Sequence, residues 1–180
     1  MTLANKLTLS RILLVVPFIV LLSIGGKTQT LIALIIYAIA TLTDFFDGRI
    51  ARKRNEVSDL GKYMDPLADK IFVTAALVIL VGTPKANLPA WPVVIILSRD
   101  LIIGVLRSLA ASKGKVIGAD KIGKFKTAFQ MVAIFLALLI LSFEVDSMTG
   151  YIYYLILISA LITFYSGFNY IRENWALFRE

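Results

Sequence analysis

The chain has 180 residues, 58% of them hydrophobic and only 17% charged, with a mean hydropathy of +0.82 and a formal net charge of +7. So low a charged share, against roughly 25% in an ordinary soluble domain, and apolar residues gathered in long blocks, point to one integral membrane domain. Cys and His are both absent, which excludes disulfides, thiolate chemistry, a catalytic histidine and a Ser-His-Asp triad, and leaves any metal to carboxylates and so to a hard ion such as Mg²⁺ or Mn²⁺.

In chain order, residues 1–8 (MTLANKLT) read as a short interfacial helix leading into the membrane. A first span is expected over about 9–24, with Pro17 inside it, and GGKTQ at 25–29 as a tight turn. A second span covers about 30–47 and is followed by a hydrophilic loop rich in Arg and Lys, about 49–62. A third span runs over about 63–82, and GTPKANLP makes a second turn. The fourth, about 89–109, holds Arg99 and Asp100 in its interior. A lysine-rich loop leads to a fifth span, about 125–145, and a sixth, about 150–170. Each is near the roughly 20 residues that cross the hydrocarbon layer.

Charge sets the orientation. Arg49, Arg52, Lys53, Arg54, Lys62, the five lysines of 113–126 and terminal Lys6, Arg172 and Arg179 fall in one set of loops and ends, whereas the other set holds Lys27 and Lys85 with Glu144 and Asp146. The expectation is an all-α polytopic membrane protein with six transmembrane helices, both termini cytoplasmic, a single domain over residues 1–180, and a cell-membrane location. The same basic balance suits membrane lipids and phosphate ligands; no nucleic acid partner is expected.

The chemistry gathers between Asp44 and Asp69. Asp44 and Asp47 are i,i+3, and Asp65 and Asp69 are i,i+4, so on a helix each pair shares a face. Packing spans two and three together would converge four carboxylates. Their mutual repulsion is costly near hydrocarbon and is offset by one or two divalent cations. Gly48 allows close approach, Ala51 leaves room one turn beyond Asp47, and Arg52 is a candidate phosphate ligand. The bland alternative, acids that flank spans and pair with nearby arginines, fits a lone Asp better than four at these spacings.

The run Asp44-x-x-Asp47-Gly48-x-x-Ala51-Arg52, eight further residues, then Gly61-x-x-x-Asp65-x-x-x-Asp69 resembles the signature of the CDP-alcohol phosphatidyltransferases, with eight residues matched over 26 positions. The resemblance implies six transmembrane helices, a cytoplasm-facing site with two metal ions (Mg²⁺ or Mn²⁺) and a homodimer. It implies transfer from a CDP-activated lipid to an alcohol with release of CMP. It would assign Asp44, Asp47, Asp65 and Asp69 to the metals, Asp69 to general-base catalysis beside Asp65, and Gly48, Ala51, Arg52 and Gly61 to the substrate side of the site.

NKLTLSR at 5–11, GKYMDPLADK at 61–70 and the basic stretch 98–130 are similar to the branch of the family that uses CDP-diacylglycerol and sn-glycerol 3-phosphate. A dianionic acceptor needs fixed positive charge, which makes Arg107, Lys124 and Lys126 candidates for its phosphate. Arg99 is a candidate to reach the aspartates or a ligand phosphate, and Asp100, where the family more often has Glu, to hold a basic partner. Adjacent helical residues do not face one another, so an Arg99–Asp100 pair is not expected. Asn5 and Thr8 are candidate polar contacts or a helix cap. The alternatives are the same chemistry on inositol phosphate, serine or phosphatidylglycerol, a divalent-cation transporter with its aspartates nearer mid-membrane, or an assembly protein with a lapsed site.

Overall fold

The computed structural model describes residues 3–54, 59–112, 114, 118 and 121–175, and side chains within 9–43, 70–112, 114, 118 and 121–175. Among these residues all regular structure is helical: α1 (Leu3–Ile24), α2 (Lys27–Arg54), α3 (Asp59–Gly82), α4 (Ala90–Ser112), α5 (Lys121–Phe143) and α6 (Thr149–Glu173), with 3₁₀ turns at Pro84–Ala86 and Asp146–Met148.

Three boundaries differ from those read in the sequence. No break separates an interfacial helix from the first span: α1 is continuous from Leu3 and runs through Pro17. The first turn shrinks to Gly25 and Gly26, both at positive φ (72° and 91°), a conformation that only glycine adopts without a Cβ penalty. Lys27 already belongs to α2, and the Thr30 hydroxyl donates to the Gly26 carbonyl at 2.8 Å. The third is the largest. Most of the expected loop 49–62 is helix, because α2 continues to Arg54 and α3 starts at Asp59, with 55–58 outside the described residues. Polarity there marks where the chain leaves the apolar layer, not where the helix stops. Ala, Arg and Lys are strong helix formers, Arg52 to Arg54 suit the negative end of the α2 dipole, and Asp59 suits the positive end of α3.

Short connections make α1 and α2, α3 and α4, and α5 and α6 antiparallel neighbours, and the bundle closes as a ring. α1 packs on α2 and α3, α2 on α5, α5 on α6, α6 on α4, and α4 back on α3. Among the described residues α2 and α3 are not principal neighbours; the aspartate-bearing faces expected to pack together lie outside them. They share α1, and they meet where Phe18, Tyr37 and Phe72 cluster, with ring centroids 5.1–6.2 Å apart. Tyr37 also donates to the Met131 carbonyl of α5 at 3.3 Å. Ala133 and Ala137 of α5 and Ala160 of α6 are fully buried; side chains this small let two helices approach closely.

The outer surface is apolar on every helix with described side chains. Leu13 and Val16 of α1, Leu101 and Val105 of α4, and Phe164 and Phe168 of α6 are each more than 60% exposed. So much large apolar surface would be costly in water and indicates contact with lipid. Lys121–Phe143 and Asp146–Glu173 are long and apolar enough to cross a membrane, with mean hydropathies of 2.0 and 1.6. α4 has the length but carries Arg99, Asp100 and Arg107. At the end of the bundle where α3 gives way to α4 and α5 to α6, Lys85 pairs with Glu144 at 2.8 Å. That hydrogen bond holds the Glu144 carboxyl below, and the Lys85 ammonium above, its ordinary pKa.

Candidate active site

Both halves of the aspartate signature lie on helix. Asp44, Asp47, Gly48, Ala51 and Arg52 occupy the second half of α2, and Gly61, Asp65 and Asp69 the first half of α3. Asn5 and Thr8 lie in the first turns of α1. The side chains of all ten are outside the described residues, so the expected convergence of the four carboxylates also lies outside them. The helical assignment does satisfy the premise that each pair shares a face. In donor chemistry the set fits a hard divalent ion: four carboxylates, on a chain without His or Cys.

Immediately after Asp69 the described side chains form a polar network inside the ring. Asp100 of α4 is its hub. The Lys126 ammonium, from α5 and almost fully buried, donates to Asp100 Oδ1, and Arg99 Nη1 donates to the same oxygen at 3.3 Å. Arg99 Nη2 donates to Ser166 Oγ of α6 at 2.8 Å. Lys70 of α3, the residue after Asp69, brings its Nζ to 3.5 Å from the Asp100 carbonyl, a weak contact. Two cations thus share the Asp100 carboxylate and join α4, α5 and α6, while α3 adds only the weak Lys70 contact to the Asp100 backbone.

Asp100 holds a basic partner, as expected, and its shorter side chain suffices because Lys126 reaches it. Arg99 corrects the expectation for neighbouring residues. Its side chain is long enough to curl back to Asp100 even though the two Cβ atoms diverge. The structure also separates Lys124 from Lys126. Two residues apart on a helix is more than half a turn, so Lys126 is buried in the ion pair while Lys124 is exposed. Lys126 is committed to Asp100 rather than standing free for a phosphate.

Arg107 lies two turns along α4 from Arg99. Its Nε donates to the Tyr170 hydroxyl at 3.3 Å, and its guanidinium carbon stands 5.3 Å from the Tyr170 ring centre. Both interactions hold the guanidinium against α6.

Sequence reasoning missed the α6 side of this network. Ser166, Gly167 and Tyr170 sit in what reads as an apolar span, yet Ser159, Thr163, Ser166 and Tyr170 recur at helical spacing and are all buried. That polar stripe was the available signal. Gly167 is required by close approach: a Cβ there would stand 2.7 Å from Arg99 Cγ, near the root of a side chain pinned at its tip. Gly167→Ala should therefore push Arg99 off Ser166 and lower stability by about 1–3 kcal/mol. Thermal unfolding in detergent measures this, and an unchanged midpoint would show that Arg99 has room to move aside.

Residues 1–165 match the family model for CDP-alcohol phosphatidyltransferase, and the chain belongs to that family. Among curated relatives, the "CDP-diacylglycerol--glycerol-3-phosphate 3-phosphatidyltransferase" of Bacillus subtilis is 38% identical, covering 96% of this chain and 95% of the relative. The protein of the same name from Rickettsia typhi is 33% identical over 94% and 95%. The "Probable phosphatidylglycerophosphate synthase" of Mycobacterium tuberculosis is 42% identical over 78% of this chain and 67% of its own.

Proposed function

We propose that the chain transfers the phosphatidyl group from CDP-diacylglycerol to sn-glycerol 3-phosphate, giving phosphatidylglycerophosphate and CMP. The observation that carries the reading is the complete eight-residue signature set on two helices whose described parts meet at Tyr37 and Phe72. The names of the relatives support the acceptor.

Asp44, Asp47, Asp65 and Asp69 are the residues that would hold the metal. Two Mg²⁺ or Mn²⁺ ions, when bound, supply Lewis-acid polarisation of the diphosphate and neutralise charge on the departing CMP. The chain's own groups do the rest. Gly48, Ala51 and Gly61 leave space for the cytidine diphosphate, and Arg52 offers it a guanidinium. Asp69 takes the proton of the acceptor hydroxyl as that oxygen bonds to the lipid-linked phosphorus and the bond to CMP breaks. One in-line displacement suffices, and no covalent intermediate is needed. Arg107, held against Tyr170, contributes fixed positive charge toward the acceptor phosphate; Arg99 and Lys126 add to the field through their network.

All six helices span the membrane in this reading, with both termini and the aspartate site on the cytoplasmic side of the cell membrane. The charge asymmetry of the loops supports that orientation. The 28 residues of α2 extend about 42 Å, beyond about 30 Å of hydrocarbon, so its basic end emerges on that face. The family resemblance supports a homodimer.

The test is CMP release by purified enzyme from CDP-diacylglycerol, with sn-glycerol 3-phosphate, inositol phosphate, serine and phosphatidylglycerol offered separately, with and without Mg²⁺. Turnover is expected with sn-glycerol 3-phosphate and Mg²⁺, and Arg107→Ala should raise KM for that acceptor about tenfold or more, the loss of a charge-assisted contact. Turnover only with another alcohol would overturn the acceptor; metal flux without CMP release would favour a transporter.

A further inference from the structure

Arg11 is a buried charge that the mechanism above does not use. It lies in α1, only 5% exposed, and is not without an interacting partner. It lines a small, partly open pocket with Tyr37 and Thr41 of α2, Phe72 and Val73 of α3, and Met131 of α5. A guanidinium in so apolar a setting is stable only with a carboxylate or equivalent acceptors close by.

Helical register points to which carboxylates. Phe18 of α1 meets Phe72 of α3 at 5.1 Å and Tyr37 of α2 at 6.1 Å. Arg11 precedes Phe18 by seven residues, which is two turns on the same side of α1. α2 runs antiparallel to α1, and Asp44 follows Tyr37 by seven residues. α3 runs parallel to α1, and Asp65 precedes Phe72 by seven. Two turns from the aromatic cluster, toward the same end of the bundle, the three helices therefore carry Arg11, Asp44 and Asp65 at one level. The pocket residues give the same placement independently: Thr41 is one turn from Asp44, and Val73 one turn from Asp69. Asp100, the described carboxylate nearest Asp69 through Lys70, is already occupied by Lys126 and Arg99 on the other side of the ring.

We propose that Arg11 is the resident counter-cation of the aspartate site. It is a positioning residue that holds the carboxylates together before metal arrives and competes with the metal for their charge. The inference rests on the metal-site reading given under the proposed function. It assigns Arg11 a larger role in the metal-free protein than in the metal-loaded one, and linkage then fixes the sign: removing it must tighten metal binding.

The experiment uses the full-length chain purified in detergent, with Mn²⁺ binding followed by electron paramagnetic resonance and Tm measured in EDTA and in saturating Mg²⁺. Arg11→Met should bind Mn²⁺ about tenfold more tightly than the wild type and lose more Tm in EDTA than in Mg²⁺. Arg11→Lys, which keeps the charge, should stay near the wild type in both. A residue that only fills space would lower Tm equally with and without metal, and that result, or an unchanged or weaker Mn²⁺ affinity in Arg11→Met, overturns the proposal. If Arg11→Met is recovered only with Mg²⁺ present, Arg11→Lys carries the test, and Mn²⁺ affinity far from the wild type overturns it. A wild-type chain that binds no Mn²⁺ overturns the metal site itself and the role of Arg11 with it.

Discussion

Asp69→Asn is expected to abolish CMP release from CDP-diacylglycerol while leaving a folded, detergent-stable protein. The substitution keeps size and helical fit but removes the negative charge and the proton-accepting oxygen. Loss of a positioned general base alone costs about 10²–10⁴ in rate. Weakened hold on the metal adds to that, so a drop of at least about 10³ in kcat is the expected reading. The control is Tm, which should fall little. In the metal-free state it could even rise, because four like-charged groups become three. Activity within about tenfold of the wild type would remove Asp69 from both of its proposed roles.

The second large effect is on stability. Asp100→Ala removes the carboxylate that receives Lys126 and Arg99. Lys126 is 3% exposed and would be left as an unpaired ammonium inside the ring. Truncating one member of a buried ion pair typically costs about 3–5 kcal/mol, most of it the penalty of the stranded charge. The second variant isolates that cause. Lys126→Met combined with Asp100→Ala should recover much of the loss, because the stranded charge goes with it. Thermal unfolding of the two single variants and the double variant in detergent provides the cycle. Strict additivity would show that the pair does not couple α4 to α5.

The consequence for function follows from position. Lys70, one residue beyond Asp69, makes only a weak contact with the Asp100 backbone carbonyl, which Asp100→Ala leaves in place. What the substitution does release is Arg99 and Lys126, whose charges the proposed function uses near the acceptor phosphate, so Asp100→Ala should also lower turnover in the fraction that remains folded.

Much of the fold was legible because hydrophobic blocks of helical length have few alternatives. α4, α5 and α6 fall close to where hydropathy places them. The misread stretch, 49–62, shows the limit of that signal: hydropathy reports solvent, not helix, and α2 and α3 persist through charged residues of high helical propensity. On the candidate site, spacing alone could pick out Asp44, Asp47, Asp65 and Asp69, since the chemistry of four carboxylates depends on local helical register. Arg107 was also legible as an isolated charge in an apolar span. Ser166, Gly167 and Tyr170 were marked at most by a polar stripe on α6, because their importance lies in what crosses from α4, which the stripe does not name.

The sequence by itself determined the class of protein: an all-helical, membrane-type chain without His or Cys, bearing one carboxylate signature. These are properties of composition and short-range spacing, which survive without any knowledge of packing. Only the tertiary structure decided how the basic residues divide. Lys126 goes to Asp100, Arg99 to Ser166 and Asp100 together, Arg107 to Tyr170, and Arg11 into the α1–α2–α3 interior. The physical reason is that a buried charge is governed by the partner it meets across helices, and here the ring order, not the sequence order, places that partner.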